Sequence, residues 1–407
     1  MTDSAEIVIV GGGAIGAGVA YSLAEAGKTD VLLLEREPSL AAATTAQAAG
    51  LVGQVRSSVE RVRLAMWSVE TFSKLQRTVE ANPNWRQVGS LRVAGSEARA
   101  EEFRHLKTTC DQAGLEVEVI DAPEAERRWP GMTLGAAKAI LWCPSDGYLQ
   151  PADLTMAYQH HARKMGVRFK TGTLVTGIAL KDGRVAGVRT GDGEIACETA
   201  INAAGAHGWH LANLAGLDLP IVPVRHEYFI TVPGEGLQPE LPCYRMPDET
   251  LYGRPDVNAL LLGGWEPEAL SCDPRDYPLE DVPPVIEEDW PVLANFGELM
   301  SPYYAAVKNL GIRNVFSGWP TFTPDGRFII GESRRAPGFV CAVGCNAHGV
   351  SGSAGIGRHV VEAMFEKTPS DYVTSLSPDR FTETAWDWGV ARRKAQAVYE
   401  SYYNIGH

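Results

Sequence analysis

The 407-residue chain contains no uninterrupted apolar run approaching the length needed to cross a bilayer. It has no basic arm and no block of like charge, and its net charge is −13. That balance argues against a nucleic-acid or anionic-membrane partner. Cysteine is scattered and odd in number, and among the seven only Cys341 and Cys345 are close. With no further Cys nearby they lack the ligand set of a metal site, so no metal is expected and reduced thiols are. The first apolar run begins at Ile7, leaving no room for a signal peptide ahead of it, and the expected location is the cytoplasm. Otherwise 45% apolar and 21% charged residues make an ordinary soluble composition, long enough for two or three domains.

What is present is concentrated at the amino end. Ile7-Val8-Ile9-Val10 reads as a buried strand and runs into Gly11-Gly12-Gly13-Ala14-Ile15-Gly16. A small-residue helix is predicted from about Ala14 to Ala26, stopped at Gly27. Val31 to Leu34 reads as a second strand, ending at Glu35 and Arg36. Strand, glycines, helix, strand and terminal acid in that order form a dinucleotide fingerprint. Gly11 allows the tight turn, Gly13 lets the backbone approach a pyrophosphate, and Gly16 lets helix and strand pack closely. The helix N-terminus offers free N–H groups and partial positive charge to phosphate. Glu35 is placed to accept hydrogen bonds from ribose hydroxyls. The fingerprint by itself is compatible with FAD or NAD.

Further along, Ala41 to Leu51 is too poor in large side chains to build core, so its backbone is expected to approach a ligand. Helices are predicted over Val59–Val79, Ser96–Ala113 and from Pro151 to about Met165. Strands are predicted over Thr173–Leu180 and Val185–Thr190, joined by a hairpin at Asp182-Gly183. Ala200 to Ala206 reads as a buried strand entering small residues and then a helix. Short, interrupted apolar runs from Ile221 to Trp265 suggest an antiparallel sheet. Phe339 to Val343 is a strand, and a last helix begins near Gly352. Strand-rich pieces of two kinds alternate, which implies interleaved domains.

Several of these stretches together resemble the D-amino-acid-oxidase-like flavoprotein superfamily, in its sarcosine and dimethylglycine oxidase and dehydrogenase branch. The likeness lies in the fingerprint, in Thr44 to Leu51, in Asp146 to Pro151, and in Asn202-Ala203-Ala204-Gly205. It continues through Val224 to Tyr228, Tyr252-Gly253-Arg254, Gly263 to Glu266, Thr323 to Gly326 and Gly344 to Gly357. The resemblance selects FAD and implies an α/β fold, a Rossmann-like FAD-binding domain interleaved with an antiparallel-sheet-based α+β substrate domain. The expected FAD-binding domain is 1–85, 145–218 and 308–407, and the substrate domain is 86–144 and 219–307.

It also implies the site. Cofactor contacts are expected from Gly11, Gly13, Ala14, Ile15, Gly16, Glu35 and Arg36. The small-residue stretch would add Thr44, Thr45, Gln47, Ala48, Ala49, Gly50 and Leu51. Further contacts are expected from Val175, Ala203, Ala204, Gly205, Trp209, Gly318 and Asp325, and from His348, Gly349, Val350 and Ser351. The last segment would set a helix N-terminus beside the charge of reduced flavin. Relatives with covalent flavin use a His within the segment matching Ala46 to Leu51, or a Cys before the Thr-Pro-Asp turn. This chain has Gln47 and Gly318-Trp319-Pro320 there, so tightly held, non-covalent FAD is expected. On the substrate side, His226 and Tyr252 would line the flavin, with His226 titrating in the range to accept a proton or hold the amine. A structural His hydrogen-bonded in the sheet is the alternative. Arg254 and Arg56 are candidates to pair with a substrate carboxylate. Leu262 stands at the nearest match to a lysine that relatives place over the flavin for reaction with oxygen.

The implied activity is oxidation of the C–N bond of a small secondary or tertiary amine, an N-methylated amino acid of the sarcosine or dimethylglycine type. Hydride transfer to flavin N5 would give an imine that hydrolyses to amine and formaldehyde. The alternatives are the same fold acting on a D-amino acid, glycine or an opine, and a flavin subunit of a heteromeric dehydrogenase. The electron acceptor, oxygen or a redox protein, and homo- or hetero-oligomeric assembly are left open. The folate-binding half of some relatives is expected on another polypeptide or not at all.

Overall fold

The computed structural model describes residues 4–403. The apolar strands are apolar on both faces because both faces are covered. Ile7–Val10 and Val31–Leu34 sit inside a six-stranded sheet. Its order is Ile329–Ser333, Ala336–Val343, Thr199–Asn202, Ile7–Val10, Val31–Leu34 and Arg168–Lys170, parallel except for the first pair. Side chains alternate between two cores. Ile7, Ile9 and Leu33 pack against Val19 and Leu23 of helix Ala14–Glu25 and Ile356 and Val360 of helix Ser353–Phe365. Val8, Leu32 and Leu34 face the small sheet Val175–Lys181, Arg184–Thr190 and Gly193–Ala196, with Leu211 beside it. The hairpin in that sheet turns at Asp182 and Gly183 with φ of 53° and 77°, the paired left-handed turn its sequence predicts.

The two helices cross almost backbone to backbone. A Cβ on Gly357 would lie 2.4 Å from Ser22 Oγ and 2.7 Å from the Gly18 carbonyl oxygen. Glycine there is what brings both helix N-termini to the same edge of the sheet. Helix Val59–Gln76 is shorter than its periodicity predicts, because Arg77 caps it and Val79 is solvent-exposed.

The second sheet has eight strands, in the order Ile312–Gly318, His226–Thr231, Ala259–Gly264, Leu251–Asp256, Cys243–Met246, Ser90–Ala94, Ala139–Cys143 and Glu118–Ile120. All neighbours are antiparallel except Cys243–Met246 with Ser90–Ala94. One face is apolar: Leu91, Tyr244, Leu262 and Phe229 pack with Leu293, Phe296 and Met300 of helix Trp290–Met300. The opposite face carries the site. Strand Ile312–Gly318 pairs with His226–Thr231 in this sheet, although it lies on the FAD-domain side of the boundary expected at 308. No helix among the described residues is long and apolar enough to cross a membrane.

Candidate active site

One cavity of about 600 Å³ is lined by residues of both sheets and the loops between them. One end is built from backbone and small side chains. Gly11 has φ of +114°, and a Cβ there would lie 2.3 Å from the Ala203 carbonyl oxygen. A Cβ on Gly16 would lie 1.9 Å from the Gly11 oxygen. These two glycines make the turn possible but stay behind it, whereas Gly13, Ala14 and Ile15 line the cavity. Helix Ala14–Glu25 has Gly13 at its N-cap and helix Ser353–Phe365 has Gly352, neither with a side-chain cap. The Ala14 amide donates to Thr45 Oγ1 and the Gly355 amide to Ser68 Oγ, each at 3.0 Å, so the free first-turn N–H groups that remain for a ligand lie mainly on the first helix.

Thr44, Thr45, Gln47, Ala48, Ala49, Gly50 and Leu51 form one wall, with Ala203 and Gly205, and Gly318 and Asp325 form another. His348, Gly349, Val350 and Ser351 close the edge before the second helix. The loop to that helix is held open by left-handed backbone at Asn346 and Ala347, with φ of 44° and 59°. His348 donates from Nδ1 to the Asn346 carbonyl at 2.8 Å and accepts from the Tyr402 hydroxyl at Nε2, 3.0 Å away. Burial holds this ring well below the ordinary histidine range. Gln47 and Gly318 face each other: a Cβ on Gly318 would lie 2.8 Å from Gln47 Oε1. The two positions considered above for covalent attachment are thus neighbours here, and neither is His or Cys.

Other residues expected at the cofactor stand outside this cavity. Glu35 accepts the Gly12 amide at 2.6 Å and the Glu37 amide at 2.8 Å, so its carboxylate closes the glycine turn. Arg36 spans to the Leu279 and Asp281 carbonyls at 3.2 and 2.9 Å. Val175 is buried in the core beneath the sheet, and Ala204 and Trp209 pack against that same core. Trp209 also donates to Asp218 at 2.8 Å.

The other end is built from side chains on the site face of the eight-stranded sheet. Register aligns Tyr228, Gly263, Tyr252, Arg245 and Arg92 in one row across five adjacent strands. Above it, His226 accepts from and donates to tyrosines. Tyr399 lies 3.0 Å from its Nδ1 and Tyr252 2.6 Å from its Nε2. Tyr399 donates its proton to Glu266, which also accepts from Arg225 at 3.3 Å. The Tyr399 oxygen therefore accepts from Nδ1–H, and Nε2 accepts from the Tyr252 hydroxyl. Burial pulls His226 down to about 3, so it stays neutral across the ordinary pH range and does not titrate near neutrality as its type suggests. Burial equally keeps Tyr252 protonated. Trp265 stacks on His226 with centroids 4.5 Å apart and on Tyr402 at 3.7 Å, forming an aromatic wall.

The two predicted carboxylate partners separate. Arg56 lines the cavity, with one bond, from Nη1 to the Val55 carbonyl at 2.9 Å. Arg254 is 3% exposed and spent on Ala49, Pro255 and Asp256 acceptors at 2.7, 2.7 and 3.0 Å, outside the cavity. Its bond to the Ala49 carbonyl positions the small-residue wall instead. Leu262 belongs to the opposite, apolar face of the sheet, so its identity carries nothing about oxygen. Sequence reasoning missed Trp265, Tyr402, Arg92 and Arg245, all cavity-lining. A signal existed for two of them, since Arg92 lies between Leu91 and Val93, and Arg245 between Tyr244 and Met246.

A glycine turn at a helix N-terminus with free amides, facing an aromatic and hydrogen-bonded pocket, defines a dinucleotide-binding site. The family model "DAO: FAD dependent oxidoreductase" matches residues 6–363, and the chain belongs to this family. FAD is accordingly the cofactor. The chain is 30% identical over 379 residues to 4-methylaminobutanoate oxidase (formaldehyde-forming) of Paenarthrobacter nicotinovorans, covering 92% of this chain and 45% of that protein. It is 28% identical to mitochondrial dimethylglycine dehydrogenase of Rattus norvegicus, covering 98% and 47%. The chain thus spans about half the length of these relatives. Among solved structures, L-proline dehydrogenase from P. horikoshii superposes with a TM-score of 0.83 at 23% identity, covering 94% of this chain and 99% of that one. Glycine oxidase from Geobacillus kaustophilus gives 0.77 at 22%, covering 93% and 100%.

Proposed function

We propose that the protein oxidises the C–N bond of a small secondary or tertiary amine, an N-methylated amino acid of the kind named for its relatives. The observation that carries this reading is the His226–Tyr252 pair, which faces the same cavity as the small-residue cradle. The cradle suits FAD because Gly13 and Ile15 leave backbone N–H groups for a pyrophosphate, and Gly349, Val350 and Ser351 leave room at the second helix N-terminus. Bound FAD supplies the two-electron acceptor, and the oxidised imine hydrolyses to a demethylated amine and formaldehyde.

The remaining work falls to the chain. The Tyr252 hydroxyl donates its hydrogen bond to His226, so its oxygen is left to accept the N–H of a neutral secondary amine. The Glu266–Tyr399–His226 relay fixes that orientation without titrating. Aromatic burial and the Arg56 charge both disfavour a second positive charge, which stabilises the neutral amine with its lone pair free. Arg56 is also placed to take a substrate carboxylate.

Anaerobic titration of the yellow holoprotein with sarcosine, dimethylglycine and 4-methylaminobutanoate tests this, with flavin bleaching and formaldehyde as readouts. Bleaching without formaldehyde would move the substrate to a D-amino acid, glycine or opine. No bleaching by any amine would sink the reading. Non-covalent attachment predicts flavin in the supernatant after acid precipitation.

A further inference from the structure

The cavity is lined by six arginines, Arg56, Arg61, Arg92, Arg99, Arg245 and Arg327, in a chain whose net charge is −13, and Arg327 donates to Ser375 Oγ. Arg99 is satisfied by Glu102, Asp248 and the Tyr403 carbonyl. Among the described residues, Arg61, Arg92 and Arg245 have no side-chain hydrogen bond or carboxylate partner, and Arg56 has only the Val55 carbonyl. Arg92 and Arg245 are register partners on adjacent parallel strands, so two like charges stand side by side on one face. Such a pair is destabilising unless an anion lies across it. The buried Asp146 carboxylate shares a small pocket with Arg92 and Arg245 and attracts both, but its hydrogen bonds go to Gln54 and Ser90. Burial, with Arg245, Arg61 and Arg92 adding to it, pulls Arg56 down to about 10.

The row supplies a ruler. Tyr252, Arg245 and Arg92 occupy successive strands, and strand spacing is about 4.8 Å. An amine held at Tyr252 therefore has one guanidinium a strand away and another two strands away. A monocarboxylate can occupy one of them and leaves the other unpaired. We propose that the natural substrate is an N-alkylated amino acid carrying two carboxylates, held by Arg245 and Arg92 in series, with Arg56 over them. The inference rests on the amine-oxidation reading and narrows its substrate class to dianions.

The test separates the two. Binding of glutarate and butyrate to the holoprotein is measured by perturbation of the flavin absorbance and by calorimetry, and reduction is compared for N-methylglutamate and N-methylalanine. Glutarate should bind at least tenfold more tightly than butyrate, with a steeper fall as salt rises. Arg92→Gln should weaken glutarate at least tenfold, and Arg92→Lys should restore part of that loss. Should the glutamine variant not fold, the salt dependence of the unaltered protein decides. Equal affinity for glutarate and butyrate overturns the dianion site, even if both amines bleach the flavin. Tight glutarate binding with no bleaching by either amine supports the site and overturns amine oxidation.

Discussion

The two ends of the cavity are made by opposite means. At the cofactor end the chain removes side chains: Gly11, Gly16 and Gly357 sit where a Cβ would collide with backbone or a neighbouring hydroxyl. At the substrate end it adds them, stacking Trp265, His226 and Tyr402 and lining up Tyr252, Arg245 and Arg92 across the sheet. The first end recognises a ligand through peptide N–H groups, which every sequence has, and so depends on close approach. The second recognises a ligand through chemistry that particular residues alone supply. The contrast teaches that the cofactor end should be brittle to volume, and the substrate end sensitive to single polar atoms.

The largest effect should come from Gly16→Val. Its Cβ would start 1.9 Å from the Gly11 oxygen, with only backbone to give way. The variant should retain less than a tenth of the bound flavin, read from the ratio of 450 to 280 nm absorbance. A fully yellow variant would break the volume half of the comparison.

Tyr252→Phe should do the reverse, keeping the flavin and losing the reaction. It strips the donor from His226 Nε2 and the acceptor from the substrate amine. The rate of flavin reduction should fall by about 10²-fold, within the range for a positioned acid–base group. Glu266→Gln acts further back, by removing the anion that orients Tyr399. It should cost about tenfold in the same rate, since the relay can re-form with reversed donors. An effect larger than that of Tyr252→Phe would mean that Glu266 holds the fold and does not merely orient the relay.

Acid should loosen the protein before it reaches the carboxylates. His226 at about 3 and His207 at about 4 are held neutral in the fold, whereas both take up protons near 6.5 once unfolded. The unfolded state then binds more protons below that pH, so stability falls as pH drops from about 6.5 towards 4. The melting temperature should decline across that window, and His226→Asn should flatten part of the slope. An unchanged slope would remove His226 from the buried neutral set.

The smallest effect belongs to Gly183→Ala, in the hairpin remote from the cavity. Its φ of 77° costs a non-glycine residue about 1 kcal/mol. The melting temperature should drop slightly with flavin content and reduction rate unaltered.

The cofactor end was legible in the chain because its parts are contiguous. Strand, Gly11 to Gly16, helix and strand lie within thirty residues, and each glycine reports a local steric demand. The hairpin at Asp182-Gly183 was legible for the same reason. Glu35 was legible only as a carboxylate at the end of a strand, while its bond to the Gly12 amide depends on how that strand packs. Arg254 and Arg56 show where the reading stopped. Both are arginines near apolar strands, and nothing in spacing says that one is sealed by Ala49, Pro255 and Asp256 while the other opens into the cavity.

The sequence by itself determined the dinucleotide-binding turn, the alternation of two kinds of strand-rich segment and the residue types available for an amine. Only the tertiary structure decided that Tyr252, Arg245 and Arg92 share one row, that Tyr399 and Tyr402 return from the far end of the chain, and that Leu262 faces away. Local sterics are written in neighbouring residues. A row of side chains across a sheet is fixed by register between strands more than a hundred residues apart in the chain, and register belongs to the fold as a whole.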